Sequence, residues 1–302
     1  MDTVIEQLKE VLEEDQVLVN EPMCRHTTFR IGGPADIFVI PKTTEDIAHV
    51  CSIAKKEKLP LFILGNGSNL LVADQGMDGI VLQIYKNFSG IEVSGNELTI
   101  QAGTLLSTAA KAAQTEELTG FEFAGGIPGT FGGAVVMNAG AYGGEMVQVL
   151  KEVDVLTPEG EVKTIPAQDL ELGYRTSNIL KNGYVVLSGT IALEKGEPEQ
   201  IKALMDKYSA ARRTKQPLEL PSAGSTFKRP EGYFAGKLIQ DAGLRGYQVG
   251  GARVSDKHCG FVVNQDHATA ADVMQLIGDV QRIVKEKFDV VLEPEVKRVG
   301  RF

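Results

Sequence analysis

The side chains best suited to chemistry lie far apart in this sequence. Ser225 follows Gly224 in a stretch that reads as loop, Pro221-Ser222-Ala223-Gly224-Ser225-Thr226-Phe227-Lys228. No Gly-x-Ser-x-Gly surrounds it, so it is not the strained elbow of an esterase nucleophile. Its hydroxyl suits two tasks: giving a proton to a carbanion, or bonding local backbone in a turn. Arg175, in Gly173-Tyr174-Arg175-Thr176-Ser177, follows a short helical stretch and precedes a loop. A guanidinium there either clamps a carboxylate through two parallel bonds or makes a surface ion pair. Glu295 stands just after Pro294 in a mainly apolar terminal stretch. Buried, its carboxylate needs an arginine or hydroxyl partner; on a solvated face it is an ordinary charge. Arg212, Lys215 and Lys228 form a basic group in a chain of net charge −9. Such a group draws phosphates or satisfies a helix end.

Two stretches of small residues read as the frame for these groups. Residues 125–144, GGIPGTFGGAVVMNAGAYGG, hold eight glycines in twenty positions. Each glycine inside a helix costs about 0.8–1 kcal/mol relative to alanine, and glycine weakens strands as well. The expectation is therefore loop on both sides of a short buried run, Ala134–Met137. Loops of this kind form anion-binding nests from backbone N–H groups; a tight set of turns is the plainer reading. Residues 61–72 read LFILGNGSNLLV, two apolar runs joined by Gly65-Asn66-Gly67-Ser68-Asn69. The loop offers backbone N–H groups, one hydroxyl and two amides to phosphate oxygens. Leu70 stands where a dinucleotide fingerprint requires its third glycine, and no Gly-Lys-Ser/Thr follows at P-loop spacing. A nucleotide cofactor in a different cradle is expected.

The remaining composition sets bounds. A length of 302 residues allows two or three domains. The acidic balance argues against a nucleic-acid backbone as partner. No apolar run approaches the ~20 residues that span a bilayer, and Met1-Asp2-Thr3 does not begin a signal peptide. Cys24, Cys51 and Cys259 are too scattered for a disulfide framework, which fits a reducing cytoplasm. His258-Cys259 is the one close pair of ligating residues, too few for a metal site.

The elements that must position the site follow from periodicity. A short N-terminal helix carries Val4, Leu8, Val11 and Leu12 on one face. Thr43 and Asp46 cap a helix running to about Lys58. Ile91–Val93 and Leu98–Ala102 form a hairpin turning at Gly95-Asn96, and Thr104–Glu117 reads as an alanine-rich helix. Val153–Leu156, Val162–Ile165 and Val185–Leu193 are strands. A helix spans about Glu199–Arg213, and Gly260–Asn264 suggests sheet. Thr269 and Asp272 box the start of the clearest helix, to Phe288, and a last strand is expected over Val290–Val299. The fold class is α+β: residues 1–84 and 85–196 as two subdomains, 197–295 as a third domain, with 296–302 returning to the first.

Taken together, several pieces carry a resemblance. They are Thr28-Phe29-Arg30-Ile31-Gly32-Gly33-Pro34-Ala35, Leu64 through Leu70, Gly126-Ile127-Pro128-Gly129-Thr130, Asn138 through Gly143, Tyr174-Arg175-x-Ser177, Gly224-Ser225-x-Phe227-Lys228 and Glu293-Pro294-Glu295-Val296. In that order, over nearly the whole length, they resemble the MurB family of UDP-N-acetylenolpyruvoylglucosamine reductases.

The resemblance implies the FAD-binding fold of the vanillyl-alcohol-oxidase (PCMH) type plus a substrate-binding domain. FAD would lie against Leu64, Gly65, Asn66, Gly67, Ser68 and Asn69. It would also lie along Gly125, Gly126, Ile127, Pro128, Gly129, Gly132, Gly133, Ala134, Asn138, Ala139 and Gly140. Arg212, Lys215 and Lys228 would meet the UDP-sugar. NADPH would reduce FAD, and flavin N5 would pass the hydride to the enol-ether carbon, giving UDP-N-acetylmuramate for peptidoglycan. Arg175 and Glu295 would stabilise the enolate-like charge, and Ser225 would protonate the adjacent carbon. A cytoplasmic monomer without metal, nucleic-acid or membrane partners is expected. An FAD-dependent oxidase and a non-catalytic sugar-nucleotide binder are the other readings. Only Arg229–Phe234 separates Lys228 from Ala235, so the chain resembles the shorter type of the family, without the tyrosine-bearing lid.

Overall fold

Threonine caps fix two of the principal helices. Thr43 accepts from the Asp46 N–H at 3.1 Å while the Asp46 carboxylate reaches back, starting the helix Thr44–Lys56. Thr269 and Asp272 do the same for Ala270–Phe288. Each box satisfies N–H groups that a helix start leaves without partners. In the computed structural model, which describes residues 1–302, the chain forms two compact units. Unit 1 comprises Met1–Leu18, Ile37–Asn66 and Gly79–Arg212; unit 2 comprises Val19–Asp36, Gly67–Asp78 and Arg213–Phe302.

In unit 1, α1 (Asp2–Val11) and α2 (Thr44–Lys56) bury Val4, Leu8, Ile47 and Val50. Leu61–Leu64 runs parallel to Met77–Gln83, with Leu61 opposite Ile80 and Leu64 opposite Gln83. A five-stranded antiparallel sheet follows in the order Val162–Pro166, Leu150–Leu156, Val185–Ala192, Glu97–Gln101, Ile91–Ser94. The expected hairpin at Gly95-Asn96 is present, with Ser94 opposite Glu97. The alanine face of α3 (Leu106–Thr115) packs into the same core through Ala109, Ala110 and Ala113.

The glycine-dense stretch differs from the expectation of a buried run between loops. Glu122–Gly126 is a 3₁₀ turn, and Phe131–Met137 is a helix, α4. Thr130 caps α4, and Asn138 ends it in the left-handed region at φ 41°. Burial outweighs the glycine penalty here: Phe131 and Val135 are fully enclosed, and such packing supplies most of a short helix's stability.

The longest segment of unit 2, Arg213–Phe302, begins within α5 (Pro198–Lys215) and includes α6 (Ala235–Asp241) and α7 (Ala270–Phe288). The α7 stripe of Val273, Leu276, Ile277, Val280 and Val284 is buried as its period predicts. A small antiparallel sheet orders Gln248–Val249, Ala252–Val254 and Val262–Asn264. The expected terminal strand is shorter, Lys297–Val299, and runs parallel to Leu70–Val72. Pro294, which has no N–H to give a ladder, makes only an isolated bridge with Phe227.

Candidate active site

Gly65 and Asn66 meet the glycine-dense stretch within unit 1. A Cβ on Gly65 would stand 2.4 Å from Thr130 Oγ1. The Asn66 side-chain amide donates to the Pro128 carbonyl at 2.6 Å. Gly67 adopts φ 61°, a left-handed conformation that glycine accepts without steric cost. The backbone N–H groups of Asn66, Gly67 and Ser68 donate to no protein acceptor, and neither do those of Gly129 and Thr130. Gly67 and Thr130 are buried, so these are unpaired donors in sheltered positions. Unpaired buried N–H groups are rare and costly in proteins. Phosphate oxygens of a dinucleotide would satisfy those of unit 1, Asn66, Gly129 and Thr130, so these donors fit FAD. Thr130 was not singled out for a role; the signal for it is a hydroxyl placed after Pro128-Gly129 and before an apolar run.

Other residues on the expected cofactor surface serve the frame. Leu64 is the buried end of a strand, and Ala134 is enclosed in α4. Gly132 packs against Ala102, where a Cβ would approach to 2.9 Å, and its N–H bonds the Ala102 carbonyl. Asn138 is 1% exposed, and its amide donates to Glu145 and the Gly173 carbonyl while its oxygen accepts from the Val147 N–H. Its side chain is committed to the protein, and it fixes the turn through Ala139 to Gly140. Gly140 in turn carries the carbonyl that accepts from Arg175 Nη2 at 3.2 Å. Arg175 is half-buried at φ 56°, held by paired bonds between Gly173 and Thr176, with its guanidinium 5.1 Å from the Tyr174 ring centroid. Asn69 donates to the Glu295 carbonyl at 3.3 Å, within unit 2.

Ser225 and Glu295 are brought together through their neighbour Thr226. The Glu295 N–H donates to the Thr226 carbonyl at 2.8 Å, and the Lys228 N–H to the Glu293 carbonyl at 2.8 Å. On its other edge Thr226 donates to the Gly260 carbonyl at 2.8 Å, and its hydroxyl accepts from the Val262 N–H. Thr226 is 2% exposed whereas Ser225 is exposed, and no protein group bonds the Ser225 hydroxyl. Arg175 belongs to unit 1; Ser225 and Glu295 belong to unit 2.

The basic residues divide the same way. Arg212 lies in unit 1, where a Cβ on Gly126 would be 3.3 Å from its Cδ and Nη1. Burial lowers its pKa, yet a guanidinium stays charged. Lys215 and Lys228 lie in unit 2, and Lys228 pairs with Glu293. A cleft of about 480 Å³ in unit 2 is lined by Arg30, Asp74, Asn264 and His267 among others and contains none of the expected site residues. Its Asp74 carboxylate is already committed to the first N–H groups of α7.

Comparison with known proteins gives the family. Residues 35–166 match the FAD binding domain family, and residues 216–299 match the C-terminal domain of UDP-N-acetylenolpyruvoylglucosamine reductase. A UDP-N-acetylenolpyruvoylglucosamine reductase of Lachnoclostridium phytofermentans is 54% identical over 301 residues, covering 98% of this chain and 97% of the relative. The chain belongs to the UDP-N-acetylenolpyruvoylglucosamine reductase (MurB) family. The Clostridioides difficile relative is 51% identical over 97% of the chain and 96% of its own length. Among solved structures, the MurB of Thermus caldophilus matches with a TM-score of 0.81 at 34% identity, covering 94% of this chain and 98% of that one. An alkyldihydroxyacetonephosphate synthase at 14% identity and a TM-score of 0.50, covering 65% of this chain and 41% of its own, shares the FAD-binding fold alone. The expected α+β fold of PCMH type stands. No helix is long and apolar enough to cross a membrane.

Proposed function

We propose that this protein reduces UDP-N-acetylglucosamine enolpyruvate to UDP-N-acetylmuramate in peptidoglycan precursor synthesis, with NADPH as reductant. The observation that carries the reading is that Thr226 joins an exposed, unclaimed Ser225 hydroxyl to the Glu295 backbone, in a chain of this family. FAD would be held by the amides of Asn66, Gly129 and Thr130, and when bound it supplies the hydride chemistry.

The chain's own residues do the rest. Ser225 Oγ gives its proton to the substrate carbon next to the one reduced. Arg175 and Glu295 steady the charge that develops on the enolpyruvyl carboxylate side. Arg212, Lys215 and Lys228 attract the diphosphate. The sequence division carries over as a proposal about roles, with residues 1–84 and 85–196 serving FAD and 197–295 serving the substrate. The protein acts as a monomer in the cytoplasm. The test is the flavin spectrum of the purified protein: NADPH bleaches it and the enolpyruvyl substrate restores it without oxygen. A flavin that NADPH leaves oxidised overturns the reading.

A further inference from the structure

His258 is held in one orientation by its own turn. Its Nδ1 accepts from the Gly260 N–H at 3.1 Å, its N–H donates to Ser255 Oγ, and its carbonyl accepts from the Phe261 N–H. The ring meets Phe261 edge to face at 5.1 Å. Glycines make room for it on two sides: a Cβ on Gly260 would lie 2.9 Å from His258 Cε1, and one on Gly236 3.2 Å. Because Nδ1 accepts, the neutral ring carries its proton on Nε2. No protein acceptor takes that Nε2–H, and the ring is half-buried.

The surroundings are cationic. Burial lowers the imidazole pKa, and the charges of Arg245 and Lys215 lower it further against a backbone hydrogen bond that raises it. Arg245 donates to uncharged oxygens, the Asp256 carbonyl and Gln240 Oε1. The Asp256 carboxylate is taken by Arg253 at 2.7 Å, and Lys215 has no carboxylate partner. The Gly260 carbonyl of this same turn receives the N–H of Thr226, the residue after Ser225. A fixed outward donor that feels two cationic side chains, on the turn whose Gly260 carbonyl holds the residue after Ser225, is a setting for an anionic oxygen.

We propose that His258 binds substrate, its Nε2–H donating to a phosphate oxygen of the nucleoside diphosphate while Lys215 and Arg245 supply the charge. The proposal rests on the reading that the substrate is a UDP-sugar. The test is calorimetric titration of the FAD-loaded protein with UDP and with uridine. His258→Asn keeps an acceptor for Gly260 and loses the outward donor; it should weaken UDP at least tenfold. His258→Gln restores an outward N–H and should stay within about threefold of the parent. Uridine should bind all three alike. UDP affinity unchanged in His258→Asn overturns the proposal, as does equal weakening by Asn and Gln, or a loss shared by uridine. If His258→Asn does not retain FAD, His258→Phe takes its place with the same expectation and the same overturning result. A parent protein that ignores UDP altogether refutes the proposed function instead, and NADPH bleaching of the flavin, measured on each variant, keeps the two failures apart.

Discussion

At the scale of single residues, Ser225 and Gly65 do opposite jobs. Ser225 is valuable because nothing in the protein binds its hydroxyl. Ser225→Ala should leave flavin bleaching by NADPH nearly intact and slow the substrate-driven return about 10²–10⁴-fold, the range for losing one positioned acid. Stopped-flow absorbance separates the two half-reactions; equal slowing of both rules out the proton-donor role. Gly65 is valuable because nothing larger fits. A methyl there would be 2.4 Å from Thr130 Oγ1, the cap of α4. Gly65→Ala should weaken FAD retention and cost about 1 kcal/mol through the disturbed cap, read as a lower melting temperature and loss of yellow colour on dialysis.

At the scale of elements, what the sequence made legible depended on local signals. The threonine-aspartate boxes of α2 and α7 were readable because a cap needs only residues three apart. The hairpin at Gly95-Asn96 was readable for the same reason. Helix α4 was not, because its glycines argue against a helix while the contact that favours one, Gly132 on Ala102, is far away in sequence. The terminal strand was read too long because an apolar run continues through Pro294, which ends regular pairing. Thr269→Ala should lower stability by about 1 kcal/mol in thermal melts. The same cap predicts a pH effect. The Thr269 N–H, helped by the Gly251 N–H and the Thr269 hydroxyl, holds the Asp272 carboxyl below its ordinary range despite some burial. Its contribution is complete above the unfolded value of about 3.9 and disappears as pH falls through the folded value. Melts of the parent and of Asp272→Asn should therefore converge as the pH drops below that of an ordinary carboxyl; a gap that persists in strong acid contradicts the assignment.

At the scale of the molecule, the family's motifs were readable from sequence, but the long-range returns that build each apolar core were not. Unit 2 draws Phe29, Ile31 and Leu71 into one apolar core with α7, although they lie some two hundred positions earlier. No periodicity marks such a return. Residues 213–302 produced alone should therefore lack a cooperative thermal transition, since they miss the Leu70–Val72 strand and those core side chains. Adding Val19–Asp36 and Gly67–Asp78 within the full chain restores it; a cooperative melt of the bare fragment would contradict this account. The parallel pairing of Lys297–Val299 with Leu70–Val72 also bears on synthesis. A ribosome adds about 5–20 residues per second, so the strand at residue 70 waits tens of seconds for the partner that lies at Lys297–Val299. Chains released before Lys297–Val299 is made would carry an open strand edge at Leu70–Val72, targets for chaperones and proteases rather than less active enzymes.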